Sequence, residues 1–138
     1  MKKLVILSIV GAAVLATIWG ILPIALATAP TCFGSDATIV SNDAVVEGTS
    51  GNDVIVGGPA SQDISGGPGN DKICGEGGDD QIDGNSGNDS ISGGPGNDEL
   101  GGQNGNDILI GDGDTDKAQG GNGNDVCIAE FKGKSCES

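Results

Sequence analysis

The sequence predicts an all-β solenoid in which short strands coil so that each pairs in parallel with a neighbour two repeat units away. Three observations carry this. A nine-residue unit recurs nine times from Gly48 to Ile128 without insertion or deletion, and a fixed period of that kind marks a stacked architecture. Each unit divides into a first part rich in Gly, Asn, Pro and Asp and a last part of three residues centred on an apolar one. Strands that short are marginal as isolated hairpins, whereas stacking lets each bury its apolar residue against its neighbours.

The units read GTSGNDVIV, GGPASQDIS, GGPGNDKIC, GEGGDDQID, GNSGNDSIS, GGPGNDELG, GQNGNDILI, GDGDTDKAQ and GGNGNDVCI. Position 1 is always Gly, position 6 is Asp in all but the second unit, and position 8 is Ile or Leu until the last two. Gly and Asn supply the positive φ angles of a tight turn, so the first part is the turn. The last part is a strand with position 8 pointing inward.

Taken in order, residues 1–27 read as a secretory signal peptide. Lys2 and Lys3 precede an apolar run from Leu4 to Leu22, followed by Pro23 and the small-residue sequence Ala25-Leu26-Ala27, the pattern of a cleaved leader. The expected cut follows Ala27. The rival is an uncleaved anchor, since the apolar run is nearly long enough to span a bilayer. Residues 28–47 lack the glycine unit but carry Ile39, Val40, Val45 and Val46, which suits a cap over the first exposed face of a solenoid. Residues 48–128 are the repeats. Residues 129–138 are too few for a second domain, and Phe131 suits the apolar plug of a C-terminal cap.

A chain of 138 residues buries only a small core, so other sources of stability are needed, and the composition offers 27 glycines, 20 acidic residues and four cysteines. A formal charge of −14 with only six lysines argues against nucleic acid, whose phosphates call for clustered Lys and Arg. It favours a cation.

The consensus GGxGxDxUx, met in full by GGPGNDKIC, resembles the repeats-in-toxin, or hemolysin-type, calcium-binding nonapeptide repeat. The resemblance implies a parallel β-roll, a right-handed solenoid with two units per turn and Ca²⁺ held between stacked loops on each edge. Position 6 would supply carboxylate oxygen and the glycine turn backbone carbonyls, a hard-oxygen shell suited to Ca²⁺. The matching acids are Asp53, Asp71, Asp80, Asp89, Asp98, Asp107, Asp116 and Asp125.

Alternate units would then fall on opposite edges. The odd edge keeps Gly and Asp in all five loops, giving four inter-loop sites. On the even edge, Ala60 and Gln62 replace Gly and Asp in the second unit, and Asp114 replaces Gly in the eighth. One sound even site is expected between Asp80 and Asp98, a weaker one involving Asp116, and a poor one near Gln62.

The outward positions differ too. Even units present Asp63, Gln81, Asp83 and Glu99, whereas odd units present Val54, Val56, Ile108, Ile110, Val126 and Ile128. Such an apolar face receives the chain's own caps or a partner. The N-terminal segment is expected over Val54 and Val56, and Phe131 near Ile110 and Ile128.

Four cysteines in an exported chain allow three pairings. In a roll, Cys74 and Cys127 stand three turns apart, roughly 14 Å at a strand spacing of about 4.8 Å, too far for a disulfide. Cys127 with Cys136 would staple the C-terminal cap, and Cys74, pointing outward, suits Cys32. Zinc is disfavoured by the absence of His and of C-x-x-C spacing.

Asp112-Gly113-Asp114-Thr115-Asp116 begins like an EF-hand loop, but Lys117 stands where its sharp-turn Gly belongs. Asn88-Asp89-Ser90 matches a glycosylation acceptor only because Asn-Asp recurs throughout. After the expected cut there is no His, Tyr or Trp, so the usual general bases and triads are missing and no enzyme is expected. The expected function is that of an exported, extracellular calcium-binding protein that folds around its ions, without nucleic acid and without stable membrane association once the leader is removed. The alternative is an interaction or adhesion module in which calcium is only structural.

Overall fold

The computed structural model describes residues 29–128. The leader with its cut after Ala27, the plug residue Phe131 and the pairing of Cys127 with Cys136 lie wholly or partly outside the described residues.

Why the chain coils follows from the spacing of its apolar residues. A residue that must face inward every nine positions, separated by a glycine-rich turn, brings the chain back over itself after two units. Strand β1 (Thr31–Cys32) and strand β2 (Ser35–Asp36) first form a small antiparallel hairpin. Then β3 (Ile39–Val40), β5 (Val54–Val56), β7 (Lys72–Cys74), β9 (Ser90–Gly94), β11 (Ile108–Asp112) and β13 (Val126–Ile128) make one six-stranded parallel sheet. The interleaved β4 (Val45–Glu47), β6 (Asp63–Pro68), β8 (Gln81–Ser86), β10 (Glu99–Asn104) and β12 (Lys117–Asn122) make a five-stranded one. Odd units therefore build one sheet and even units the other, in a parallel β-roll.

The register is uniform. Ile55 lies opposite Ile73, Ile73 opposite Ile91, Ile91 opposite Leu109 and Leu109 opposite Cys127. On the other sheet Val46, Ile64, Ile82, Leu100 and Ala118 follow one another in the same way. These position-8 residues are the core, with Ile55, Ile64, Ile73, Ile82, Ile91, Leu100 and Leu109 essentially sealed from solvent. Burying each contributes about 1.5–3 kcal/mol, and β-branched Ile suits a strand.

Two features extend beyond the three-residue strands of the sequence reading. Strands β6, β8, β9, β10, β11 and β12 run on into the next unit's opening residues, as β6 does through Gly66, Gly67 and Pro68. Parallel pairing persists there because the stacked turns keep register with one another. Residues 39–47 carry no glycine unit, yet Ile39 pairs with Ile55 and Val46 with Ile64, so this segment adds strands to both sheets.

The β1–β2 hairpin lies across the outer face of the odd sheet, against β5 and β7. Cys32 is bonded to Cys74 with their Cα atoms 5.8 Å apart, Lys72 Nζ donates to Ser35 Oγ at 2.6 Å, and Val56 is buried. At the other end of this sheet Ile108, Val126 and Ile128 are 40, 51 and 53 % exposed. Among the described residues no helix is long and apolar enough to cross a membrane.

Candidate metal centre

Each turn but the second, which ends on Gln62, ends on an aspartate that precedes its strand, and the stacking aligns these in two lines, one per edge. On the odd edge Asp53 N–H donates to Asp71 Oδ1, Asp71 N–H to Asp89 Oδ1, Asp89 N–H to Asp107 Oδ1 and Asp107 N–H to Asp125 Oδ1, all at 2.8–2.9 Å. On the even edge Gln62 N–H donates to Asp80 Oδ1, Asp80 N–H to Asp98 Oδ1 and Asp98 N–H to Asp116 Oδ1, again at 2.8–2.9 Å. From Asp71 onward every carboxylate thus accepts from the amide one turn before it. Asp114 holds the left-handed backbone expected of Gly, with φ +69°, and Asp116 keeps the same bond as its counterparts.

The second oxygen of these groups is different. Oδ2 of Asp71, Asp80, Asp89, Asp98, Asp107, Asp116 and Asp125 is buried without a hydrogen-bond partner. A buried anionic oxygen left unpaired is strongly disfavoured, and each has like-charged neighbours one turn away. Burial therefore pushes the Asp80, Asp89 and Asp98 carboxyls up to about 6, against the opposing bonds from Gln62, Asp71 and Asp80 N–H respectively. Asp71 and Asp107 are raised by burial as well. Such oxygens need a proton or a cation.

The glycines explain why the turns pack so closely. Gly69 has φ +148°, and a Cβ there would lie 2.5 Å from the carbonyl oxygen of Gly51 in the turn before. At Gly66 a Cβ would lie 2.6 Å from Asp71 Oδ2 and 2.9 Å from the Gly84 carbonyl oxygen. Backbone carbonyls and the orphaned oxygens thus crowd the same narrow space between turns, a cradle that any side chain would fill. Among the described residues no three acidic or thiol side chains converge on one point. An ion between two turns would therefore complete its shell with backbone carbonyls, which is the chemistry of a hard-oxygen site. The residues fit Ca²⁺.

Of the eight acids expected from the sequence, seven share this arrangement. Asp53 stands apart, because its Oδ2 already accepts from Thr49 N–H at 2.7 Å and Thr49 Oγ1 at 2.8 Å. The sequence reading missed position 5. Asn70, Asn88, Asn106 and Asn124 N–H donate to the Oδ1 of Asn52, Asn70, Asn88 and Asn106 at 2.6–2.8 Å. This outer ladder runs opposite in sense to that of the aspartates. Its signal was the Gly-Asn-Asp triplet in all five odd units. On the even edge the place is taken by Ser61, Asp79 and Asn97, and the Asn97 amides hold the Asp79 carboxyl below its usual range.

A two-sheet parallel solenoid with lines of buried, half-bonded aspartates between glycine turns defines a class of stacked-repeat protein whose turns offer oxygen ligands to a cation. The chain belongs to the family of the RTX calcium-binding nonapeptide repeat, which matches it in four copies over residues 41–73, 65–100, 75–109 and 101–130. No curated protein and no solved structure matches the chain in the other two comparisons.

Proposed function

We propose that this is an exported protein whose roll folds around Ca²⁺ held between stacked Gly/Asp loops. The observation that carries the reading is the set of seven buried carboxylate oxygens without partners, aligned along two edges. The ligands proposed are Asp71, Asp89, Asp107 and Asp125 on the odd edge and Asp80, Asp98 and Asp116 on the even one, with Asp53 bounding the first odd interval. Each ion would neutralise carboxylates that otherwise repel one another, and binding only to the folded state stabilises it by mass action. Extracellular calcium modules bind at about 10⁻⁴ to 10⁻³ M, so the sites would fill outside the cell. Export is supported by the leader pattern of residues 1–27 and by the Cys32–Cys74 bond, which suits an oxidising compartment. The test is circular dichroism during a calcium titration. Strand signal should rise from chelator to millimolar calcium, and a spectrum that does not change overturns the reading.

The exposure of Ile108, Val126 and Ile128 favours a second reading, in which the roll is an interaction module and calcium its scaffold. Replacing Ile108 and Val126 by Ser would then abolish partner binding while leaving the calcium titration unchanged.

A further inference from the structure

We infer that the first turn of the roll is closed by its own side chains in place of ions, so that it stands without calcium and the ion ladders begin only beyond it. This rests on the calcium reading above, and two positions carry it.

On the even edge, the place held by Asp80, Asp98 and Asp116 in later turns belongs to Gln62, which is 5 % exposed. Its N–H still donates to Asp80 Oδ1, so the next turn stacks on it normally. Its Oε1 accepts from Gly58 N–H at 2.7 Å. Its Nε2 donates to the carbonyl oxygens of Asp43 at 2.7 Å and Ser41 at 3.2 Å, both one turn earlier. A carboxylate has no proton to give a carbonyl, so an acid here would need a cation between the turns. The amide supplies that positive end itself and carries no net charge.

On the odd edge, Asp53 is satisfied from within the turn. Thr49 gives two donors to Oδ2, and Oδ1 faces Thr38 Oγ1 at 3.5 Å. In later turns the place of Thr49 is taken by Gly67, Asn85, Gln103 and Gly121, all with a left-handed backbone, where a β-branched residue is strained. The oxygens of Asp71, Asp89, Asp107 and Asp125 lack those donors. The same end carries the Cys32–Cys74 bond. A preformed end matters in a solenoid, where each repeat depends on its neighbour and growth from an existing turn avoids nucleation.

Hydrogen exchange on the full chain, disulfides intact, tests this in chelator and in millimolar calcium, together with calcium stoichiometry for wild type and Gln62→Asp. On calcium removal the amides of Thr49 and Gly58, whose acceptors are Asp53 and Gln62, should lose less than about tenfold in protection, and those of Asp71, Asp80 and Asp89 more than about a hundredfold. Gln62→Asp should bind one more ion per chain. Uniform loss of protection along the roll, or unchanged stoichiometry in a folded variant, overturns the inference while leaving the calcium reading in place. If Gln62→Asp does not fold, the wild-type exchange pattern decides. A wild-type chain that takes up no calcium overturns both.

Discussion

A buried carboxylate with one oxygen bonded and the other bare sits between two states, protonated or ion-bound, and its position along the pH scale tells which is near. In the folded chain burial raises Asp80, Asp89 and Asp98 from 3.8 to about 6. Without metal, the folded state keeps protons across that window that the unfolded state has released. Its stability is therefore fullest below about pH 3.8 and falls as pH rises toward about 6. Thermal melts in chelator should give a higher Tm near pH 4 than near pH 7, and Asp89→Asn should flatten that slope. Equal melting at the two pH values would show that these carboxyls are not held up by burial. In calcium the dependence reverses, because the ion binds the ionised oxygen and loses affinity as the acids protonate.

At the scale of the turn, two hydrogen-bonded lines hold each odd loop from both sides. The aspartates accept the previous turn's amide, and the asparagines accept the next turn's. Only the inner line has spare oxygens for an ion. The outer line is structural, and Asn88→Ala should test that. Losing the acceptor for Asn106 N–H should cost about 1 kcal/mol in the calcium-loaded melt, with the number of bound ions unchanged by titration calorimetry. A drop in stoichiometry would place Asn88 among the ligands instead. The repeat was plain in the sequence, and so was the inward row from Ile55 to Leu109. The asparagine ladder was present as letters, but its role depends on which amide a neighbouring turn places over each side chain.

The whole molecule is asymmetric from end to end. At its N-terminal end strand β7 is bonded to the hairpin through Cys32 and Cys74, enclosing a sequence separation of 42 residues, while the last described strands leave Val126 and Ile128 exposed. Replacing Cys32 and Cys74 by Ser frees that loop in the unfolded chain and should lower stability by up to about 4 kcal/mol. The hairpin should also lift from β5 and expose Val56. Denaturant melts in calcium measure the first effect, and binding of a hydrophobic dye the second. An unchanged midpoint would mean that the sheets alone hold this end.

The sequence by itself determined the period, the parallel stacking and the inward Ile and Leu row, because strands this short bury one apolar residue per unit better by stacking than as hairpins, and the two lines of aspartates followed from the resemblance of the unit to the calcium-binding repeat. It could not distinguish Asp53 from Asp71, or say that Gln62 fits where an acid was lost. Those differences rest on what stands one turn away: Thr49 beside Asp53, and the carbonyls of Ser41 and Asp43 opposite Gln62. Only the coiled chain brings those groups together, and it alone decides which oxygens are left for an ion.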